Sequence, residues 1–167
     1  NVSQTPAGTA AAPTYEWDVA EVGDAAPPKN TPIDEAVLEL YTRTSGDHNP
    51  LYSDEAFARS KGLDGLGVPV SAAVRVAPGR RATIMRVKGY AHPVRPTPFA
   101  RWQCETFGPM KVGDVITVQS FLDEKYEKRG RKYLVWRVEG RNQRGELVVV
   151  YRSTNVWEGA KPGDRTR

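Results

Sequence analysis

Between Tyr41 and Asp54 the chain reads Tyr-Thr-Arg-Thr-Ser-Gly-Asp-His-Asn-Pro-Leu-Tyr-Ser-Asp, and here the residues able to do chemistry crowd together. Asp47, His48 and Tyr52 can exchange protons, while Ser45 and Asn49 can form hydrogen bonds to a bound molecule. The same segment also reads as a tight turn after a helix. Gly46 tolerates unusual dihedrals, Asp47 and Asn49 can bond the local backbone, and Pro50 locks the exit. A catalytic scheme that needs a histidine has two candidates in the whole chain, His48 and His92. Two histidines make a His-based metal cluster improbable. The single cysteine, Cys104, rules out an internal disulfide and a Cys-x-x-Cys zinc or redox site. Cys104 sits in a strand pattern with no activating neighbour, so it reads as a small core residue.

The elements that must carry this segment follow from periodicity. Pro32 precedes Ile33–Tyr41, which has acids in its first turn and spaces Ile33, Val37, Leu40 and Tyr41 at helical intervals, ending at Ser45-Gly46-Asp47. Ser53-Asp54 caps a second short helix that stops at Gly62. A weakly apolar run from Val68 to about Val87 reads as helix, with Pro78-Gly79 breaking it. Gly79-Arg80-Arg81 forms a basic rim at that break without an evident partner. His92–Pro98 is a proline-rich connector, expected to be extended, with His92 a loop residue. Four strands follow at Ala100–Phe107, Val115–Tyr126, Tyr133–Arg141 and Leu147–Trp157, with turns at Arg129-Gly130 and Asn142–Gly145. In the third, Leu134, Trp136 and Val138 face one way, and Val135, Arg137 and Glu139 the other. An early strand near Tyr15–Val19 is a further candidate. Helices followed by antiparallel strands predict an α+β layer structure.

The chain has 167 residues, enough for one domain, assigned to residues 14–158, with loose tails at 1–13 and 159–167. No run of 18 apolar residues exists, which excludes a membrane-spanning helix. The opening residues lack the pattern of a signal peptide, so a cytoplasmic location is expected. The net charge of +4 is unevenly spread. Residues 125–144 hold eight Lys and Arg against two acids, a local +6, which leaves the rest slightly acidic. Such a segment can attract phosphates or an acidic protein, or it can be a solvated hairpin that protects its own edge. Trp136 alternates onto the core side with Leu134 and Val138, which argues against stacking on nucleic-acid bases.

Ser45, Gly46, Asp47, Asn49, Pro50, Leu51 and Asp54 match the pattern S-G-D-x-N-P-[LI]-H-x-D, flanked by a helix before and an Ala-Phe-Ala helix after. On these residues the chain resembles the MaoC-like branch of the hot-dog superfamily over about Tyr15 to Trp157. The resemblance implies a single hot-dog fold, a curved antiparallel sheet wrapped around a central helix starting near Val68. It also implies hydration of trans-2-enoyl thioesters, or dehydration of the 3-hydroxy form, carried on CoA or acyl carrier protein, with no metal or other cofactor. In that scheme a paired Asp and His activate one water, and a backbone N–H at the helix start polarises the thioester carbonyl.

The family's aspartate falls on Asp47, but its histidine falls on Tyr52, and the His-Gly pair that opens the central helix falls on Val68-Pro69. A phenol is a poor base at neutral pH, and proline has no N–H to donate. These departures resemble the non-catalytic halves of two-subunit dehydratases. The expected site comprises Asp47 and Tyr52 as the reacting pair and Ser45, Asn49, Val68, Pro69 and Ser71 as substrate contacts. Arg129, Arg131 and Lys132 are placed against CoA phosphates or the acidic face of a carrier protein. The expected partners are the thioester and a second hot-dog chain, identical or different, with no nucleic acid and no membrane insertion. Two other readings stay open: a self-sufficient hydratase using Asp47 with Tyr52 or His48, and a binding module without chemistry.

Overall fold

The computed structural model describes residues 11–159. Of the tails expected at 1–13 and 159–167, residues 1–10 and 160–167 lie outside the described residues. Five antiparallel strands form one sheet: β1 (Lys29–Pro32), β2 (Phe99–Thr106), β3 (Val115–Lys128), β4 (Arg131–Arg141) and β5 (Leu147–Val156), in the order β1-β3-β4-β5-β2. β3 and β4 make a long hairpin whose turn residues Arg129 and Gly130 both have positive φ (51° and 69°), the backbone of a tight two-residue hairpin turn. Register shifts at Leu122/Glu124 in β3 and at Phe99/Arg101 in β2 add bends that help the sheet curve.

β1 is absent from the sequence pattern. Lys29-Asn30-Thr31-Pro32 has no apolar alternation and ends in proline, and an edge strand paired only with β3 tolerates both. The strand expected at Tyr15–Val19 is instead a 3₁₀ turn over Trp17–Val19. Tyr15 alone is drawn in, fully buried and edge-on to Trp157 at 6.3 Å, while Glu16, Asp18 and Glu21 stay toward solvent. The Tyr15 hydroxyl donates to Asp24, whose carboxylate also takes the ammonium of Lys88 at 2.8 Å. Aromatic packing plus one polar anchor outweighs strand pairing there.

The helical layer covers the concave face. α1 (Glu35–Ser45) is capped by Asp34, which accepts from the Val37 N–H at 2.9 Å, and α2 (Glu55–Ser60) by Asp54, which accepts from Phe57 at 3.0 Å. The expected central helix is broken into a 3₁₀ turn at Val70–Ala72 running into α3 (Ala73–Val76), and then α4 (Arg81–Val87). Pro78 removes one N–H, and the sheet satisfies what the break leaves open. Tyr151 donates its hydroxyl to the Ala77 carbonyl at 2.6 Å, and Ser120 Oγ accepts from the Arg80 N–H at 3.2 Å. The core divides accordingly. Ala72, Ala73, Val76 and Ala77 pack on Ile116, Val138 and Val149, whereas Ile84 and Met85 of α4 join Tyr15, Leu122, Trp136 and Trp157.

Candidate functional site

The motif turn is built by its own polar side chains. α1 ends where Gly46 enters the left-handed region at φ 66°, a conformation available to glycine at little cost. Ser45 Oγ accepts from the Asp47 N–H at 3.4 Å, Asp47 Oδ1 from the Asn49 N–H at 3.1 Å, and Asn49 Oδ1 from the Leu51 N–H at 3.0 Å. Ser45 and Asn49, expected at the substrate, thus hold the turn that presents Asp47. Pro50–Tyr52 forms one 3₁₀ turn, and it leaves Asp47 and Tyr52 half-buried side by side while His48 points to solvent.

Burial, and then the negative charge of Asp47, push the Tyr52 phenol above its ordinary pKa. Tyr52 therefore stays protonated through neutral pH. It can donate a hydrogen bond or orient a water, and it cannot serve as a base there.

Two hydrogen bonds stitch this turn to the start of the helical layer. The Gly67 N–H donates to the Leu51 carbonyl at 2.8 Å, and the Tyr41 hydroxyl donates to the Ser71 carbonyl. A Cβ at Gly67 would stand 3.8 Å from the Tyr52 ring, so that ring lies against the backbone leading into Val68-Pro69. The Val68 N–H is taken by the Met110 carbonyl at 2.8 Å, and Pro69 caps the 3₁₀ turn without an N–H of its own. Asp47, Tyr52, Val68, Pro69 and Ser71 are thus assembled at one end of the helical layer.

The basic hairpin is engaged elsewhere. Lys125 and Lys132 sit over the Trp17 ring, 4.1 and 4.7 Å from its centre, Lys132 approaches Asp18 at 3.4 Å, and Arg131 faces Glu158 at 3.8 Å. These contacts tie the hairpin tip to the N-terminal turn and the end of β5, and Arg129 stays exposed at the turn. Cys104 is partly buried, and burial followed by the Glu105 charge pushes its thiol up, away from nucleophilic reactivity. Among the described residues no cluster of His, Cys, Asp or Glu is placed to hold a metal ion, and no helix is long and apolar enough to cross a membrane.

A cavity of about 680 Å³ opens at the helix break, between α3, α4 and the sheet. Val74, Arg81, Ile84, Trp102, Trp136 and Val138 are among its walls, and His92 also lines it. Neither Asp47 nor Tyr52 lines it. Sequence reasoning missed this space, although Pro78-Gly79 inside a helical pattern, followed by two arginines, was the signal that could have found it.

A curved sheet wrapped on a helical layer is the hot-dog fold, and solved structures share it. A monoamine oxidase regulatory protein from Archaeoglobus fulgidus superposes with a TM-score of 0.72 at 17% identity, over 90% of this chain and 99% of that one. The HadBC (3R-hydroxyacyl-ACP dehydratase) complex from Mycobacterium tuberculosis gives 0.66 at 18%, over 81% and 93%. The R-hydratase PhaJ1 from Pseudomonas aeruginosa gives 0.60 at 22%, over 91% and 96%. No curated protein matches the sequence. The model of the FAS1-like dehydratase domain region matches residues 20–151, and the chain belongs to that family.

Proposed function

We propose that this chain binds enoyl or 3-hydroxyacyl thioesters as the catalytically incomplete subunit of a two-component hydratase or dehydratase. The observation that carries the reading is Tyr52, a phenol held protonated beside Asp47 where the resemblance places an imidazole base. Hydration of an enoyl thioester needs a group that takes a proton from water near neutral pH, and Asp47 beside a phenol lacks the imidazole partner for that step. Pro69 removes an N–H donor at the same helix start, which weakens stabilisation of the thioester oxygen. Both deficits are of the kind a second hot-dog chain can supply. The fold is shared with a dehydratase complex, and among the described residues the outer edge of β2 has no strand partner, which supports pairing with such a chain.

The test is hydration of crotonyl-CoA. The purified chain alone is expected to give no turnover, and the chain co-purified with a partner bearing an intact Asp/His motif is expected to be active. Turnover in that complex should survive Asp47→Asn in this chain. Robust turnover by the lone chain, lost by roughly 10²–10⁴-fold in Asp47→Asn, would establish the self-sufficient hydratase instead.

A further inference from the structure

The cavity at the helix break has a chemistry that the Asp47–Tyr52 turn does not explain. Its volume of about 680 Å³ lies in the range of small-molecule sites, and its walls are mainly apolar and aromatic. The charged residues lining it are Arg80, Arg81 and Arg137, with no aspartate or glutamate among them. Arg137 pairs with Glu139 at 2.6 Å, and the Arg80 guanidinium donates to a neutral acceptor, the Pro27 carbonyl. Arg81 makes neither a hydrogen bond nor an ion pair among the described residues. Its contacts are the faces of Trp157 and Trp136, with ring centres 5.7 and 6.0 Å away. Trp136, another wall residue, is buried with its indole N–H lacking an acceptor. A half-buried cation without a counter-ion is unfavourable, and burial draws the Arg81 pKa below its ordinary value.

We infer that this cavity is a binding site for an amphipathic carboxylate, whose apolar body lies between α3, α4 and the sheet and whose carboxylate meets Arg81. A guanidinium presents a planar fork of donors that matches one carboxylate. A guanidinium stacked on tryptophan faces among mainly apolar walls fits an anion with a hydrocarbon body. The carboxylate has two possible sources, a free fatty acid or the far end of a dicarboxylic acyl thioester. Only the second rests on the thioester reading above.

Trp102 and Trp136 in the walls make tryptophan fluorescence the readout. Decanoate is titrated against decan-1-ol, and the monothioester of dodecanedioic acid with CoA against dodecanoyl-CoA. In at least one pair the carboxylate is expected to bind about tenfold more tightly, the equivalent of one charge-assisted hydrogen bond. That preference should vanish in Arg81→Gln and fall in Arg81→Lys, which keeps the charge without the fork. A preference in the first pair identifies a free acid, and one confined to the second identifies the acyl terminus. No preference in either pair overturns the inference, as does one that persists in Arg81→Gln. Should Arg81→Gln fail to fold, Val74→Trp decides. It fills the cavity from an exposed wall position, so it should abolish binding of all probes, and unchanged binding overturns the site. Decanoate and decan-1-ol carry no thioester, so their affinities test this cavity alone, while crotonyl-CoA turnover tests the thioester reading, and failure of the one is distinguishable from failure of the other.

Discussion

Tyr52 is subject to two influences that act in the same direction: burial disfavours its phenolate, and the charge of Asp47 disfavours it further. Removing the charge while keeping the shape therefore has a definite sign. In Asp47→Asn the Tyr52 pKa should fall, though not to the value of a free phenol, because burial remains. Alkaline absorbance titration, with Tyr52→Phe as the subtraction reference, measures it, and an unchanged curve would separate the two residues. The same pair predicts how catalysis is rebuilt. Tyr52→His should give the lone chain weak hydration of crotonyl-CoA, and adding Pro69→Gly should raise it by roughly 10²-fold through the restored N–H donor. Equal rates for the single and double variants would remove Pro69 from the account.

At the scale of elements, the broken helix is tied to the sheet by close contact as well as by hydrogen bonds. Gly140 of β4 lies under α3, and a Cβ there would come within 2.8 Å of Val149 Cγ1, 3.0 Å of Ile116 Cγ2 and 3.3 Å of the Ala77 Cβ. Three short neighbours in a packed core leave no easy relaxation. Gly140→Ala should lower the stability by about 1–3 kcal/mol, read from urea unfolding, despite the usual benefit of replacing a strand glycine. The outer edge of β2 is the other feature at this scale. Gln103→Lys with Glu105→Lys adds like charges to an edge that already carries Arg101. If that edge joins a second chain, light scattering should show the mass falling to that of a single chain.

For the whole molecule, stability should fall on the alkaline side. Burial, then the hydrogen bond to Asp24, raises the Tyr15 pKa, and burial pushes Tyr151 up to about 12. Both folded values exceed the roughly 10 of an unfolded tyrosine. Their contribution is therefore fully present below about pH 10 and lost as pH rises through the folded values, because the unfolded chain releases its protons first. Guanidinium midpoints measured across that window should decline, and Tyr151→Phe should make the decline shallower between about pH 10 and about pH 12.

Much of this architecture is legible in the sequence, and the reasons are local. Pro32 and the acids that follow it announce the start of α1, Asp54 that of α2, Gly46 the end of α1, and alternation in Leu134–Glu139 the core face of β4, because turn chemistry, caps and period-two burial act within a few residues. The motif Ser45–Asp54 located the turn carrying Asp47 and Tyr52 for the same reason: its hydrogen bonds run between neighbours in sequence. Other features needed partners far along the chain. β1 exists because β3 offers it an edge, and Tyr15 leaves a strand pattern because Trp157 and Asp24 offer it a pocket and an acceptor. The basic hairpin turns out to face Trp17, Asp18 and Glu158, which no count of charges reveals. The cavity at Arg81 is a product of tertiary structure too, since proline fixes where the helix breaks but only the curvature of the sheet decides whether space opens beneath it.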